Sequence, residues 1–411
     1  MQTNLSEQAR QLPRAEEAER ILRSCVHCGF CNATCPTYQL LGDELDGPRG
    51  RIYLIKQVLE GNAVTAQTQE HLDRCLTCRN CETTCPSGVE YHTLLDIGRD
   101  VVEQVVPRPL GERVLREGLR LLVPRPALFK ALTQTGQAFR PLLPASLKNK
   151  LPRQIRVAKP RPAVTHARRV LMLEGCVQPG LSPNTNAATA RVLDRLGISV
   201  VPIREAGCCG AVDYHLNAQE QGLQRARQNI DAWWPAVQAG AEAIVQTASG
   251  CGAFVKEYGH LLAADPAYAD KARRISELAL DLVEVLRAEA LETLGIDSGK
   301  RLAFHCPCTL QHAQKLGGAV EQVLTRLGFH LTRVPDSHLC CGSAGTYSLT
   351  QPVLSRQLRD NKLNALESGK PEVIVTANIG CQTHLDSAGR TPVRHWIELV
   401  EEALNPPENR A

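Results

Sequence analysis

Two patterns of apolar positions divide the chain, a helical one near its start and a strand-like one in its second half. The helical pattern predicts a helix over residues 15–24 and another over residues 50–60, where apolar side chains fall at 52, 55, 58 and 59. Gly61 and Asn62 then supply a stop signal. We therefore predict that residues 1–100 form an all-helical domain.

The second half of the chain contains short apolar runs of the kind that form buried strands, and these runs occur twice in the same order. The pairs are residues 170–173 and 301–304, 198–201 and 329–332, and 243–247 and 373–376. Helix-like stretches separate them, and alternation of strand and helix is typical of a parallel sheet. The sequence predicts two repeated small parallel α/β domains, over residues 170–295 and 296–411.

Cysteines repeat in register with these strands. Each copy has one cysteine, then 31 residues, then a Cys-Cys-Gly triplet, then a further cysteine. The offsets between corresponding thiols are 132, 132, 132 and 130 residues, so the two halves are a duplication. The two sets of candidate metal or redox thiols are Cys176, Cys208, Cys209 and Cys251, and Cys308, Cys340, Cys341 and Cys381.

Residues 101–169 form a basic, proline-rich helical connector between these parts. From residue 107 to 169 there are fifteen Lys or Arg and two acids, a local balance of +13 within a chain of net charge +4. Residues 110–123 predict an amphipathic helix that carries Arg113, Arg116 and Arg120. Two interpretations stay open, a packing helix with a solvated basic face and a surface that docks to a membrane or a partner.

Two further cysteine runs carry the clearest chemical signal. Each has the spacing C-x-x-C-x-x-C-x-x-x-C-P, in which three thiolates hold one 4Fe–4S cluster and the fourth, before proline, ligates the other cluster. Zinc is the alternative, but a zinc site has no use for a third and fourth cysteine in each run. The predicted ligands are Cys25, Cys28, Cys31 and Cys85 for the first cluster, and Cys75, Cys78, Cys81 and Cys35 for the second.

The chemistry of the repeated Cys-Cys-Gly thiols is less determined by the sequence. A further iron–sulfur cluster, a zinc ion and redox-active thiols without metal all stay open. Cys306 is interpreted as either an extra ligand or a small buried residue. The histidines near these motifs are predicted to be mostly structural, and they are His27, His305, His312, His338 and His384.

Composition limits the function and the compartment. The chain of 411 residues shows no apolar signal segment and no run long enough to span a membrane, and its 17 cysteines favour a reducing compartment, so we expect a cytoplasmic protein. Aromatic residues make up only 4%, which argues against a nucleic-acid partner. No dinucleotide or phosphate-binding pattern and no catalytic residue is evident, so we predict an electron carrier that depends on another component.

The combination of motifs resembles the iron–sulfur subunits of glycolate oxidase. The resemblance lies in CVHCGFCNATCPTY at 25–38, GPRGRI at 47–52 and CLTCRNCETTCPSGVEY at 75–91, followed by the two Cys-Cys-Gly repeats. It implies the electron-transfer subunit of a flavin-dependent glycolate or 2-hydroxyacid dehydrogenase. FAD-binding subunits would supply electrons, a quinone-type acceptor would take them, and the chain would lie peripherally on the inner face of the membrane, through its partners or the connector.

Two other families share part of this layout. One is the iron–sulfur subunit of anaerobic glycerol-3-phosphate dehydrogenase, and the other is the heterodisulfide reductase-like enzymes, which carry out thiol–disulfide chemistry themselves. The fuller Cys-Cys-Gly pattern of the latter ends in C-x-x-C. Here its first position is Ala248 in one copy and Asn378 in the other, so each copy lacks a fifth thiol and the unusual cluster of the five-cysteine form is in doubt.

Overall fold

The computed structural model describes residues 1–142, 151, 155–296 and 298–404. Residues 143–150 and 152–154 of the predicted connector lie outside the described residues. The chain folds into two compact units, each taken by itself below. Unit one is Met1–Glu117 with His338–Lys362, and unit two is Gly118–Ser337 with Leu363–Ala411.

Unit one is built from short helices, and its described residues contain no strand. Its core is formed by apolar side chains from the helices Ala15–Ser24, Pro48–Leu59 and Tyr91–Val105. The helices of residues 1–122 are Glu7–Arg10, Ala15–Ser24, Phe30–Ala33, Pro36–Leu41, Pro48–Leu59, Ala66–Asp73, Asn80–Thr84, Tyr91–Val105 and Leu110–Leu122, with a 3-10 turn at Glu44–Asp46. The later segment adds Tyr347–Thr350 and the start of Pro352–Glu367. The prediction of an all-helical N-terminal domain is confirmed.

A close approach of two helices organises this core. Ile55, on helix Pro48–Leu59, is fully buried against helix Tyr91–Val105. A Cβ atom at Gly98 would lie 2.6 Å from the Ile55 side chain, so only glycine permits this packing. The predicted helix over residues 50–60 is therefore present, and it begins two residues earlier because Pro48 occupies its first turn.

Unit two contains two four-stranded parallel sheets with the same topology. The first has the order β2-β1-β3-β4 and the second β6-β5-β7-β8. The strands are β1 Arg168–Met172, β2 Ile198–Val201, β3 Ile244–Gln246, β4 Ala279–Asp281, β5 Arg301–His305, β6 His330–Leu331, β7 Val373–Thr376 and β8 Val393–His395. The predicted pair of parallel α/β repeats is confirmed, and each sheet has a fourth strand that the sequence pattern did not indicate.

Helices cover the sheets on both sides of each repeat. In unit two they are Pro126–Ala138, Gln178–Leu181, Pro183–Arg195, Ala211–His215, Gln219–Gln238, Ser249–Lys256, Tyr258–Leu261, Ala269–Leu278, Leu282–Arg287, Ala319–Arg326, Ile379–Asp386 and Trp396–Leu404. Shorter 3-10 or π turns lie at Arg140–Leu142, Leu291–Leu294 and Thr309–Ala313. One apolar cluster contains side chains of both sheets, so the two repeats share a core.

Polar contacts also join the two repeats within unit two. The Ser249 amide donates to the Ala377 carbonyl at 3.1 Å, and His395 Nε2 lies 2.9 Å from the Thr247 carbonyl. The buried Glu398 carboxylate accepts from the Thr185 hydroxyl at 2.6 Å. The division at residues 100, 169 and 295 stays a prediction. The structure adds that the segment His338–Lys362, from within the second repeat, belongs to the compact unit formed by the N-terminal residues.

Candidate metal centres

The first cluster site is a cavity in unit one lined by the four predicted ligands and by Cys81, a predicted ligand of the second site. Cys25 ends helix Ala15–Ser24, Cys31 lies in helix Phe30–Ala33, and Cys85 ends helix Asn80–Thr84. Cys28 completes the set and is exposed, with Val26 68% and Phe30 62% exposed on either side. The predicted ligands Cys25, Cys28, Cys31 and Cys85 therefore surround one cavity.

The second cluster site repeats this arrangement with the other four thiols. Cys75, Cys78, Cys81 and Cys35 line its cavity. Cys35 enters it because Pro36 begins a new helix immediately afterwards and turns the chain. Thr77 and Arg79 have positive φ angles, as His27 and Gly29 do in the first run, so both C-x-x-C-x-x-C segments wrap in the same way.

The two cluster sites are adjacent. Cys81, Pro48 and Tyr91 line both cavities. The two runs also contact each other directly, because the hydroxyl groups of Thr34 and Thr84 lie 3.2 Å apart. An electron held in one site therefore has a short path to the other.

The donor chemistry of both sites fits iron–sulfur clusters. None of the eight thiols forms a disulfide. Burial raises the pKa of the Cys31 thiol to about 11 and raises the pKa of Cys81 well above its ordinary value. Such thiols become thiolates only with a compensating cation, and an all-sulfur set of soft donors is what an iron–sulfur cluster requires.

Around the second cluster site lies a buried ionic network that the motif did not indicate. The Arg51 guanidinium, 1% exposed, donates to the Thr37 hydroxyl at 3.2 Å and lies 3.4 Å from Asp46. Asp46 also pairs with Arg74 at 2.9 Å and contacts the His71 ring at 3.0 Å. Although burial opposes the charge of Arg51, the Cys75 thiol and the other nearby acidic groups raise its pKa, so it stays cationic.

In the first repeat of unit two, the four predicted thiols come together in what we call the first CCG site. Cys176 follows β1, Cys208 and Cys209 follow β2, and Cys251 lies in the helix after β3, so all four lie at the carboxyl edge of the sheet. Cys208 is hydrogen-bonded with Cys176 and Cys209, and Cys209 with Cys251. The prediction that these four thiols cluster agrees with their placement, and their cofactor stays a prediction.

The electrostatics of the first CCG site single out one thiol. Hydrogen bonds from Cys176 and Cys209, then the Gly210 amide and the charge of Arg225, lower the pKa of Cys208 well below its ordinary value. The pKa of Cys176 and of Cys209 is raised by these same thiol contacts together with burial. A cavity of about 280 Å³ opens beside Cys208. Cys208 is the thiol of this set best prepared to act as a thiolate.

Backbone contacts hold the Cys208–Cys209 pair in place. The Asn229 amide donates to the Cys208 carbonyl at 2.9 Å, and the buried Tyr258 hydroxyl donates to the Cys209 carbonyl at 2.6 Å. Gly210 has φ +100°, and a Cβ atom there would lie 2.4 Å from the Gly222 carbonyl oxygen. The glycine of the motif is therefore required by the close packing of two backbone segments.

The second set of repeated thiols is divided between the two units. Cys340 and Cys341 are buried in unit one, and Cys308 and Cys381 are buried in unit two. In unit one, the Gly342 amide lies 3.4 Å from Cys340 Sγ. In unit two, the Asn378 side-chain amide donates to Cys381 Sγ at 3.4 Å. The joint metal site of these four thiols stays a prediction.

The remaining candidates lie in different surroundings, and their roles stay predictions. Cys306 is 5% exposed and belongs to the apolar core shared by the repeats. His27 is exposed and faces the Tyr53 ring at 6.3 Å, while His305 and His312 are buried in unit two. His338 offers its carbonyl to the Asn80 side chain at 3.2 Å. The backbone carbonyl of His384 accepts a hydrogen bond from the Ser387 hydroxyl at 2.6 Å.

The polar residues that surround the cysteines are not indicated by the cysteine motifs. Arg51 lies inside the GPRGRI segment at 47–52, which supports the family resemblance but does not indicate a role for this arginine. Tyr91 follows the second run, Asn229 comes 20 residues after Cys209, and Tyr258 comes seven residues after Cys251. Only tertiary packing brings them to the sites. Among the helices of the described residues, none is both long and apolar enough to cross a bilayer.

Comparisons with known proteins agree with this architecture. The 4Fe-4S dicluster domain family matches residues 21–89, and the cysteine-rich CCG domain family matches residues 170–256 and 302–386. The predicted two-cluster domain and the two CCG domains are thereby confirmed. A crystal structure of a hypothetical protein from Helicobacter pylori superposes with a TM-score of 0.54 at 10% identity, covering 98% of this chain and 74% of that one, and shows the fold alone.

Two relatives match nearly the whole chain. The glycolate oxidase iron-sulfur subunit of Escherichia coli (strain K12) is 78% identical over 404 residues, which covers 98% of this chain and 99% of the relative. A probable glycolate oxidase iron-sulfur subunit of Bacillus subtilis (strain 168) is 31% identical over 431 aligned positions, covering 95% of each chain. Together with the domain matches, these relatives show that the chain belongs to the family of glycolate oxidase iron–sulfur subunits.

Proposed function

We propose that this chain is the electron-transfer subunit of a flavin-dependent glycolate or 2-hydroxyacid dehydrogenase. FAD-binding subunits of the same complex would oxidise the substrate, and a quinone-type acceptor would receive the electrons. The observation that carries the proposal is the pair of adjacent cysteine-lined cavities in unit one, each of which contains a complete predicted ligand set. Bound 4Fe–4S clusters supply one-electron chemistry there. The high identity to a glycolate oxidase subunit favours this function over the glycerol-3-phosphate alternative.

In this proposal the eight thiols of unit one hold the two clusters in crossed sets. Cys25, Cys28, Cys31 and Cys85 hold one, and Cys75, Cys78, Cys81 and Cys35 hold the other. Buried apolar side chains around Cys25 and Cys81 exclude water from the ligand sulfurs. The CCG thiols of unit two are proposed as a further metal or redox site, for which the clustered Cys176, Cys208, Cys209 and Cys251 give the best support.

Exposure suggests where a partner subunit approaches. Cys28 is the one exposed thiol among the cysteines of the described residues, and it belongs to the first cluster site. Val26 and Phe30, both largely exposed, flank it. An apolar surface around an accessible ligand sulfur suits the contact face of the flavin-containing subunit, since interface cores favour aromatic and apolar side chains.

Helix Leu110–Leu122 is proposed to attach the chain to the headgroups of an anionic membrane surface. None of its residues is buried, and Leu110 and Val114 are 75% and 62% exposed. Arg113 is exposed as well, and the connector around the helix is strongly basic. A helix with exposed apolar and basic residues fits a bilayer interface. Arg116 does not contribute, because it pairs with the half-buried Asp73 at 3.2 Å.

The electron-transfer role is tested with Cys78→Ser, purified without oxygen together with its native partners. We expect loss of one of two reducible clusters and loss of quinone-linked glycolate oxidation. The matched control is Cys306→Ser, which changes a buried thiol outside the two runs. Full quinone-linked turnover in Cys78→Ser, or wild-type protein without iron and sulfide, would contradict the proposal.

The crossed ligand sets are tested separately with Cys35→Ser and Cys85→Ser. If the sets are crossed, Cys35→Ser perturbs the same paramagnetic signal as Cys78→Ser, and Cys85→Ser perturbs the same signal as Cys28→Ser. The opposite pairing would mean that each run holds its own cluster.

Membrane attachment is tested by sedimentation of the complex with vesicles of anionic or zwitterionic lipid. Leu110→Glu with Val114→Glu should abolish sedimentation, and Arg113→Gln should weaken it most at low salt. Val353→Glu is the control, because Val353 is 59% exposed on a different helix. Equal sedimentation of all variants would leave the partners as the only attachment.

A further inference from the structure

The two cluster sites differ in the cations that surround them. Arg51 lines the cavity of the second site and does not line the cavity of the first. Its guanidinium is 1% exposed and is held by the His71 carbonyl at 2.7 Å and the Thr37 hydroxyl at 3.2 Å. Its position is therefore fixed, and water does not screen its charge.

Arg51 reaches a ligand sulfur of the second site through one hydroxyl group. The Thr37 hydroxyl accepts from Arg51, donates to the Asp46 carbonyl at 2.7 Å and lies 3.3 Å from Cys35 Sγ. Arg99, 8% exposed, donates to the Cys75 carbonyl at 3.0 Å. A second buried guanidinium therefore lies on the ligand loop itself.

A buried phenol, Tyr91, adds a hydrogen-bond donor; it lines both cavities, but the ligand thiol that interacts most strongly with it is Cys75 of the second site. Tyr91 is 4% exposed, and its hydroxyl group has no hydrogen-bond partner among the described residues. The Thr77 amide already donates to Cys75 Sγ at 3.4 Å. The thiolate form of Cys75 would give the Tyr91 hydroxyl the acceptor that it lacks.

The cations at the first cluster site lie closer to solvent than Arg51 does. The Arg49 side chain is 34% exposed and is paired with Glu44 at 2.6 Å. The ammonium group of Met1 is bound by backbone carbonyls, including that of Cys25 at 2.5 Å, and is partly exposed. Solvent reduces what these groups contribute to a buried cluster, whereas the counter-charge of Arg51 is the Asp46 carboxylate at 3.4 Å, which is shared with Arg74 at 2.9 Å.

Reduction of a cluster adds one negative charge. Buried cations and hydrogen bonds to the ligand sulfurs stabilise that charge and raise the reduction potential. We propose that Arg51 and Tyr91 set the second cluster at a higher reduction potential than the first, so that an electron entering at the exposed first site moves inward to the second. The step oxidises the first cluster and reduces the second, without any bond or proton change. This inference rests on the proposed function.

Electron movement from the first cluster to the second agrees with the position of the segment His338–Lys362 in unit one. The Tyr347 hydroxyl donates to the Arg74 carbonyl at 3.1 Å, so the segment His338–Lys362 packs beside the second site. That segment carries Cys340 and Cys341. An electron drawn to the second cluster is therefore brought next to the cysteine pair of the second CCG repeat.

The test is a redox titration of the intact chain, purified without oxygen, in which paramagnetic resonance follows both clusters. Cys28→Ser and Cys78→Ser assign the two signals. In the wild type the second cluster should be reduced first. Arg51→Gln should lower its midpoint potential and narrow or reverse the gap between the clusters, while Arg51→Lys retains part of the gap. Tyr91→Phe, which removes one oxygen atom, should cause a smaller shift in the same direction.

Arg49→Gln is the control, because it removes an exposed, paired cation beside the first site. It should leave the second potential unchanged. If Arg51→Gln fails to assemble, Tyr91→Phe and Thr37→Val decide the question. Unchanged second potentials in these variants, or equal shifts of both clusters, would overturn the inference. Wild-type protein that binds no clusters would instead overturn the proposed function, so the two failures are distinguishable.

Discussion

His395 makes the stability of unit two depend on pH, and the structure gives the sign. The residue ends β8 in the second repeat, is 1% exposed, and lies with Nε2 2.9 Å from the Thr247 carbonyl of the first repeat. Nδ1 accepts the Ile397 amide at 3.3 Å. These two partners fix the neutral ring with its proton on Nε2. A second proton, on Nδ1, would face a donor.

Burial lowers the pKa of His395 from 6.5 to about 4, although Glu398 acts in the opposite direction. Between these values the unfolded chain binds a proton that the folded chain does not. The contribution of His395 is therefore complete above pH 6.5 and is lost as the pH falls towards 4. The shift corresponds to about 3 kcal/mol in full, and to about 2 kcal/mol between roughly pH 7.5 and pH 5.

The assay is urea unfolding without oxygen, followed by tryptophan fluorescence. All three tryptophans, Trp233, Trp234 and Trp396, lie in unit two, so the signal reports that unit. His395→Gln keeps an amide donor but does not titrate. We expect its stability relative to the wild type to rise by about 2 kcal/mol from roughly pH 7.5 to pH 5. A difference between the two proteins that stays constant over this range would refute the reasoning.

Three other predictions concern buried groups. Burial raises the pKa of Asp281 from 3.8 to about 7, so the ionisation of Asp281 destabilises the fold as the pH rises through this range. Asp281→Asn retains an acceptor for the Val283 amide and does not ionise. In the same urea assay, its stability relative to the wild type should rise by about 2 kcal/mol between roughly pH 5 and pH 7.5. Gly210→Ala should lose about 3 kcal/mol or more, because of its positive φ and the contact with Gly222, whereas Gly118→Ala, on an open helix position, should not destabilise. Arg108→Ala should lower the free energy of unfolding of unit one by about 3 kcal/mol, because it leaves the carboxylates of Asp73 and Glu103 poorly paired. Arg20→Ala, which removes an exposed ion pair, should lower it by about 0–1 kcal/mol. Thermal unfolding followed by circular dichroism compares the two variants.

Most of the fold follows from local patterns in the sequence. The helix Ala15–Ser24 and the strands β2 and β7 match their predicted limits, because apolar spacing and stop signals act within a few residues. The duplication made the two sheets predictable together. β4 and β8 were missed because a helix begins directly after each of them, so that no stop signal separates the short strand from the helix.

The cysteine sets were predictable because metal ligands require fixed spacings, whereas their surroundings were not. Arg51 lies in a helix whose sequence shows only that the side chain is charged; its burial depends on Asp46, Thr37 and His71, which the fold brings to it. Arg116 illustrates the reverse case. The sequence placed it with Arg113 and Arg120 as a surface cation, but its pairing with Asp73 removes it from that surface. Long-range ion pairs have no local signal.

The missing fifth thiol of the CCG repeats has a physical replacement in one copy. Asn378 stands at that position, donates to Cys381 Sγ at 3.4 Å and accepts the Gly250 amide of the other repeat at 3.4 Å. A thiol is a weak donor and a weak acceptor, so a cysteine at this position would serve neither contact well. Ala248, at the same position of the first copy, offers neither contact. The second copy therefore has, at the position of the fifth thiol, an amide that contacts Cys381 and joins the repeats, and the two copies are not chemically equivalent.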